Sequence, residues 1–571
     1  MVAERPSERP RGEPAEFLRR HQAWIAFAAL LAIAAGVRIL SVGEGLWFEE
    51  VFWVRSATSS LHGAITLSGL THAHPPLYVF LLKAWIWLGG QGDIWLRLSS
   101  LGCGVGTVAV LYLWAAPRFG SFAALLGGLY VALSTFHIHY SVEIRPQAFL
   151  GFLVVTLVWM VDRWLDEPDR RVFLGAALLL EVAVVLTHPQ GLFIAAAVAL
   201  YGYAVRPRRP EHLVAWTVVQ FVVVAAISWW LPLTLLQRGH VPAVAFRAAD
   251  TGFALENWVS VFGPAAAHPS SLWAVGAGVL SLIALAVGLY RAWRAWPGRE
   301  TGALPRARRT LIFTRPLFLT MVAAICLSVV LPLTQLWLNA VTDRYLNALI
   351  GQLGWTYLAV AGLFGLLIIL TLLRLRVTTS ARLSLPILIV GASCVGIWLL
   401  GLREPRHSLR DLVHILPFVA VFIGRGLEPR HWTGGVIAAV LVAALAAPSL
   451  MTAPERFLPR QDLRGCAQII EGHLGAKPGA ANFVIPMWDR VALEYYLGEG
   501  TAMGIMSPDD LPPTSCLPGV VNVVMTRGAA DHSEVFARAF SARLAATHER
   551  AATVSLRRVQ MIRYIRIGER R

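Results

Sequence analysis

The chain has 571 residues, 56% of them hydrophobic, with a mean hydropathy of +0.59 and a net charge of +16. A soluble globular chain averages about 45–50% apolar residues, and here the excess falls in blocks of about 18 to 25 residues, the length that crosses a bilayer core. The arginines stand at the ends of these blocks, so the positive charge reads as positive-inside topology and excludes nucleic acid as the expected partner. The 21 tryptophans suit the membrane–water interface, where membrane lipids are the partners.

In chain order, residues 1–22 form a polar, Arg- and Pro-rich cytoplasmic tail, with no small-residue cleavage site after the first apolar block, so it is not read as a cleavable signal peptide. The apolar blocks then lie at 23–40, 97–115, 121–136, 146–165, 171–187, 189–205, 212–236, 271–292, 313–336, 355–373, 383–402, 411–427 and 432–451. The stretch Pro75–Leu88 is short and carries Lys83 near its middle, which suits a helix lying in the interface. With that stretch interfacial and the N-terminus inside, roughly 23 Lys/Arg fall on the cytoplasmic side against about 9 in the external loops; counting it as a span would reverse the bias. The expected fold is an α-helical polytopic membrane protein with about 13 transmembrane helices, its membrane domain covering 23–452 with a first external loop at 41–96.

After residue 452 the composition changes. Helices are predicted over Asp462–His473, Asp489–Leu497 and Ser533–Ala546, and strands over Ala481–Pro486, Val520–Thr526 and Arg558–Ile567. Their alternation predicts a small extracytoplasmic α/β domain over 453–571. A Cys466–Cys516 disulfide is permitted in that compartment. Cys103, Cys326 and Cys394 fall in apolar blocks as packing residues, and no CxxC or Cys/His cluster is present.

On this topology the unusual polar residues gather in external loops. The first holds Glu49 and Glu50, two adjacent carboxylates flanked by aromatics, and further on His72, His74 and Tyr78. Group transfer to a hydroxyl needs a base, and a carboxylate can serve; the plainer alternative is a solvated interfacial pair. The second loop packs His137, His139, Glu143 and Arg145 into one turn, where Glu143–Arg145 is either functional or a structural ion pair. The late loop, with Arg403, Arg406, His407 and Arg410, is strongly basic against the positive-inside trend. A lipid phosphate would offset that charge, as would anionic headgroups, and Lys83 is a second phosphate contact. His188 stands in the turn Thr187–Gly191, which Pro189 and Gly191 already explain as a turn.

Together these features resemble the membrane glycosyltransferases of the GT-C fold, in the bacterial branch similar to protein O-mannosyltransferases and the aminoarabinose transferase of lipid A modification. The residues that carry the resemblance are Leu46 to Glu50, His74 to Tyr78 with Lys83, Ser141 to Pro146, Thr187-His188 and Pro405 to His407. The resemblance implies inverting transfer from a polyprenyl-phosphate sugar donor to a cell-envelope acceptor on the outer face of the bacterial inner membrane. It implies a catalytic carboxylate at Glu49, with Glu50 beside it, and carrier-phosphate contacts from Lys83, Arg403, Arg406 and Arg410. Substrate contacts would come from His74, Tyr78, Glu143, Arg145, His188 and His407. The usual pair is Asp-Glu, so Glu49 carries its carboxylate about one methylene further out. No cofactor is required by the resemblance, although some relatives bind a divalent metal, for which His72, His74 and Glu143 are the weak candidates. The competing readings are a lipid-linked sugar transporter or flippase, and a non-catalytic membrane scaffold.

Overall fold

The computed structural model describes residues 13–40, 42–66, 74–205, 210–228, 280–281, 283–291, 384–401, 409–428, 432–451, 462–474, 480–485, 487–526, 533–556 and 559–568. The predicted spans at 313–336 and 355–373 and most of the late basic loop lie outside them. In chain order the described helices are α1 (Glu13–Ile39), α2 (Phe48–Thr58), α3 (Leu61–Thr66), α4 (Leu77–Gly89), α5 (Asp93–Phe119), α6 (Ser121–Leu133), α7 (Thr135–Ser141) and α8 (Pro146–Asp166). They continue with α9 (Arg171–Val185), α10 (Gly191–Val205), α11 (Pro210–Ser228), α12 (Ser384–Gly401), a 3-10 turn (Leu409–Ile415), α13 (Leu416–Gly426) and α14 (Trp432–Met451). The C-terminal part adds α15 (Leu463–Leu474), β1 (Ala481–Ile485), α16 (Arg490–Leu497), β2 (Ala502–Gly504), β3 (Val520–Thr526), α17 (Ser533–Leu544), β4 (His548–Leu556) and β5 (Val559–Arg566).

Two compact units form. The first takes Met1–Arg38, Leu101–Ser141 and Pro146–Met451; the second takes Ile39–Ser100, Val142–Arg145 and Thr452–Arg571. Compactness therefore does not follow the sequence boundary at 452, because the first-loop residues fall in one unit with the tail.

The described elements of the first unit are helices. Its apolar core includes Leu111, Trp114, Val158, Trp164, Tyr201 and Phe418, and polar side chains such as Arg38, Asp162 and Glu181 are buried in the same unit. Large apolar side chains such as Leu179, Val218 and Phe221 are exposed on the outside of its helices, the surface a lipid solvent requires. By length and composition three described helices are able to cross a membrane, within Gln22–Ile39, Asp93–Phe119 and Pro146–Asp166, or four if the bent pair α6–α7 is one span. Shorter apolar helices fill other predicted blocks, at Gly191–Gly202, Glu211–Ala226, Leu412–Gly426 and Thr433–Ala444.

The predicted block 121–136 is not one helix. It breaks at Ser134 with a 63° bend into α7. The carbonyls that lose their next-turn donors there find another: the buried Arg38 guanidinium donates to Ala132 O at 3.0 Å and Val131 O at 3.4 Å, and contacts His137 Nδ1 at 2.8 Å. Helices α6 and α13 meet backbone to backbone, since a methyl on Gly424 would fall on the Ala123 carbonyl oxygen. Small residues allow that approach in a membrane bundle.

In the second unit α4 has 13 residues, about 20 Å at ~1.5 Å per residue, too short for a ~30 Å apolar core. It ends with Trp87 and Leu88 exposed, in keeping with an interfacial helix. The tail contains a five-stranded sheet of order β2-β1-β3-β5-β4, with β2, β1 and β3 parallel and β5 and β4 antiparallel. One face carries Phe483, Val521, Val523 and Ile562 in a core shared with Phe540 and Leu544 of α17. The predicted helices and strands of the tail appear within a residue or two; β2 and β4 are additional. β4 escapes pattern reading because it is a largely exposed edge strand rich in polar residues.

The permitted disulfide is not formed. Cys466 is buried with its Sγ 4.0 Å from Met561 Sδ, and Cys516 is exposed. Burial pushes the Cys466 thiol up to about 12, and a thiol, unlike a thiolate, is a poor nucleophile. In the folded protein a maleimide should therefore modify Cys516 and spare Cys466 until denaturant is added. Mass mapping of the modified peptides checks this, and equal labelling of both would contradict the helix–sheet packing of the tail.

Candidate functional site

The site is built around the N-terminus of α2. Trp47 is extended (φ −104°, ψ 172°), and the Glu50 carboxylate accepts its N–H at 3.3 Å, a one-sided cap at the start of the helix at Phe48. The capping geometry turns the two adjacent carboxylates to different surroundings.

Glu50 points inward. Its side chain and that of Arg97 are both 0% exposed, and they form a bidentate pair: Nε to Oε1 at 3.1 Å and Nη2 to Oε2 at 2.6 Å. The Ile144 N–H donates to the same carboxylate at 3.2 Å. The paired, planar geometry is the strong form of a carboxylate–guanidinium contact.

Glu49 points outward. Its side chain is 28% exposed and forms an ion pair with Arg145. Arg145 also lies 3.6 Å from Glu143 Oε2 through Nε, and its guanidinium sits 5.2 Å from the Trp47 ring centroid. A cation over an aromatic face is held without a further anion. Glu49, Glu50, Glu143 and Arg145, named from two different loops, are thus brought together. Of the two alternatives read from the second loop, the ion pair between Glu143 and Arg145 is present, and it lies within this cluster.

Other predicted residues stand elsewhere. His74 and Tyr78 pack edge-on against Trp53 of α2, at 5.5 Å and 5.4 Å between ring centroids. The Lys83 ammonium donates to Ala57 O at 3.0 Å and Ser59 O at 2.7 Å, at the C-terminus of α2, where a cation meets the negative end of the helix dipole. That uses two of its three N–H donors. His188 is buried in the first unit, where its Nδ1 accepts the Gln190 N–H at 3.2 Å. Arg403, Arg406, His407 and His72 lie outside the described residues, and Arg410 is described only as backbone of the 3-10 turn. Among the described residues no three His, Cys, Asp or Glu side chains are placed to hold a metal ion. His74 against Trp53 and Glu143 beside Arg145 do not fit a shared one.

Arg97 was not anticipated from the sequence as a site residue. A signal existed: an arginine at the head of a predicted span, whose burial demands an anionic partner. Asp93, one turn earlier on α5, was missed for the same reason.

A chain with apolar exposed helix faces and three described helices long and apolar enough to cross a membrane belongs to the class of helical membrane proteins, and it carries a mixed carboxylate–guanidinium cluster. Residues 73–232 match the profile of a family described as dolichyl-phosphate-mannose-protein mannosyltransferase. The segment contains Lys83, Arg97, Glu143 and Arg145 and begins after the acidic pair. On its motifs and on this match, the chain resembles membrane glycosyltransferases of the protein-mannosyltransferase kind. None of the curated proteins compared with the chain matches it. Among solved structures, ArnT from Cupriavidus metallidurans is similar over 95% of this chain and 98% of its own, at 16% identity and a TM-score of 0.44 in the apo state. A second structure of ArnT, bound to undecaprenyl phosphate, has 17% identity and a TM-score of 0.42 over the same shares. The oligosaccharyltransferase AglB from Archaeoglobus fulgidus, in complex with an inhibitory peptide and a dolichol-phosphate, is similar over 92% of this chain and 71% of its own, at 12% identity and a TM-score of 0.44. Likeness this distant carries no argument by itself.

Proposed function

We propose that the protein is a glycosyltransferase that moves a sugar from a polyprenyl-phosphate carrier to a hydroxyl of a cell-envelope acceptor, on the extracytoplasmic face of a bacterial inner membrane. The observation that carries this reading is the division of labour between the two adjacent carboxylates. Glu50 is sealed in an ion pair with Arg97, while Glu49 alone of the pair reaches solvent. A site that buries one carboxylate as an anchor and presents its neighbour is suited to base chemistry at the presented group.

In the proposed reaction Glu49 takes the proton of the acceptor hydroxyl. The acceptor oxygen attacks the anomeric carbon and a new glycosidic bond forms. The bond from that carbon to the phosphate oxygen breaks, and the polyprenyl phosphate leaves with the electron pair; attack opposite the leaving group inverts the centre. Arg145 and Glu143 hold Glu49 in place. Lys83, through its third N–H, and Arg403, Arg406 and Arg410 are assigned to the phosphate, whose charge grows in the transition state. His74, Tyr78, His188 and His407 are assigned to donor or acceptor contacts. The proposed topology has the N-terminus cytoplasmic, the C-terminus extracytoplasmic and about 13 spans.

The test incubates the purified full chain with a panel of polyprenyl-phosphate sugars and cell-envelope extract, and measures free polyprenyl phosphate. Release from one donor is the expected result and names the sugar. Folded protein that releases nothing from any donor would overturn the reading in favour of transport or scaffolding.

A further inference from the structure

The five residues that lead into the acidic pair are held one by one through their backbone. Arg97 Nη1 donates to Val42 O at 3.1 Å and to Glu44 O, and Nη2 donates to Gly45 O at 2.9 Å. The two remaining residues are held by the tail. Arg464 of α15 donates through Nη2 to Gly43 O at 2.7 Å, and the Leu46 N–H donates to the Tyr496 hydroxyl of α16 at 2.5 Å. Both tail residues are themselves tied to Asp93 Oδ2, Arg464 through Nη1 at 3.1 Å and Tyr496 through its O–H at 3.1 Å. Asp93 and Arg97 are one turn apart on α5, so one helix edge and two tail side chains enclose the segment 42–46.

Two further observations agree. Gly45 sits so close to α15 that a Cβ there would come within 2.9 Å of Arg464 Cβ and 3.4 Å of the Tyr496 hydroxyl. The Arg464 Cβ is fixed to its backbone and cannot swing aside. Burial first, and then the charge of Asp93, push the Tyr496 hydroxyl above the ordinary tyrosine range. It stays protonated, as its role as donor to Asp93 requires.

We infer that the C-terminal tail is a positioning element for the acidic pair, and that Tyr496 and Arg464 are its positioning residues: they hold the segment 43–46 and so set where α2 begins and where Glu49 points. The inference gives the tail a task in the proposed transfer reaction, and it rests on that reading for its catalytic consequence. A carboxylate displaced by about 1 Å loses on the order of 10²-fold in rate even though it never leaves the site. Tyr496 and Arg464 touch neither donor nor acceptor in this scheme, so their loss acts on turnover and not on donor affinity.

The test compares wild type, Tyr496→Phe and Gly45→Ala as full chains in proteoliposomes. It measures kcat and KM for the polyprenyl-phosphate sugar, the thermal midpoint, and amide hydrogen exchange over residues 42–50. Tyr496→Phe removes one oxygen and keeps the ring, and it should lower kcat at least about tenfold with KM within about twofold. The thermal midpoint should stay near wild type, and exchange over 42–50 should quicken. Gly45→Ala, which pushes the same segment off α15, should reproduce the pattern. Unchanged kcat in a folded Tyr496→Phe protein would overturn the inference, as would a change confined to KM. If wild type releases nothing from any donor, the function reading fails separately. Exchange then decides alone: faster exchange over 42–50 upholds the tail as the clamp on this segment, and unchanged exchange overturns it.

Discussion

Glu49→Gln should lower the rate of sugar transfer by about 10²- to 10⁴-fold, the range over which a positioned general base contributes, while leaving the fold intact. Gln keeps the length and one hydrogen-bonding oxygen of Glu but cannot take a proton from the acceptor. The stability of the variant should be close to wild type, because the Glu49 side chain is partly solvated and its partner Arg145 retains Glu143 at 3.6 Å and the Trp47 ring. Release of free polyprenyl phosphate, measured with the thermal midpoint on the same preparation, separates the two quantities. Wild-type rates in Glu49→Gln would remove Glu49 as the base.

The neighbouring residue should behave in the opposite way. Glu50→Gln or Arg97→Met leaves an uncompensated group among buried surroundings, and breaking a buried ion pair from one side costs about 3–5 kcal/mol. The expected result is a large fall in thermal midpoint and poor recovery of folded protein, with activity lost as a consequence. Arg97→Met should be the more damaging of the two, because the guanidinium also holds the carbonyls of Val42, Glu44 and Gly45. The double variant Glu50→Gln/Arg97→Met should fall short of the sum of the singles, since neither partner then faces a lone charge. Additive losses, or a Glu50→Gln protein as stable as wild type yet inactive, would assign Glu50 to the chemistry and not to the anchor.

The contrast between these two carboxylates shows how far the sequence could be read. Glu49-Glu50 as a doublet after an apolar block marks the place, and the resemblance implies a role for it, but adjacent carboxylates are equivalent in a sequence. Only the start of α2 at Phe48 makes one face Arg97 and the other face Arg145. Lys83 shows the same limit from the other direction. Its charge near the middle of a short apolar stretch is legible, but only the folded chain turns its ammonium to the C-terminal carbonyls of α2. The break in the block 121–136 was invisible for a related reason: the apolar run is unbroken, and it is the Arg38 guanidinium, distant in sequence, that satisfies the carbonyls at the break.

What the sequence by itself determined is what depends on local composition. Apolar blocks of membrane length, arginines at their ends, an apolar stretch too short to cross a bilayer, and the alternation of strands and helices after residue 452 are all set by neighbouring residues. The helices α15 to α17 and strands β1, β3 and β5 accordingly fall where they were expected. What only the tertiary structure decided is everything that depends on residues far apart in the chain. The Glu50–Arg97 anchor spans 47 positions, and the Leu46–Tyr496 contact spans 450. The physical reason is that a buried charge or backbone group must find a partner. The sequence states that need but not who meets it, and the folded chain answers by bringing the second loop to the acidic pair and the tail to residues 43 and 46 before it.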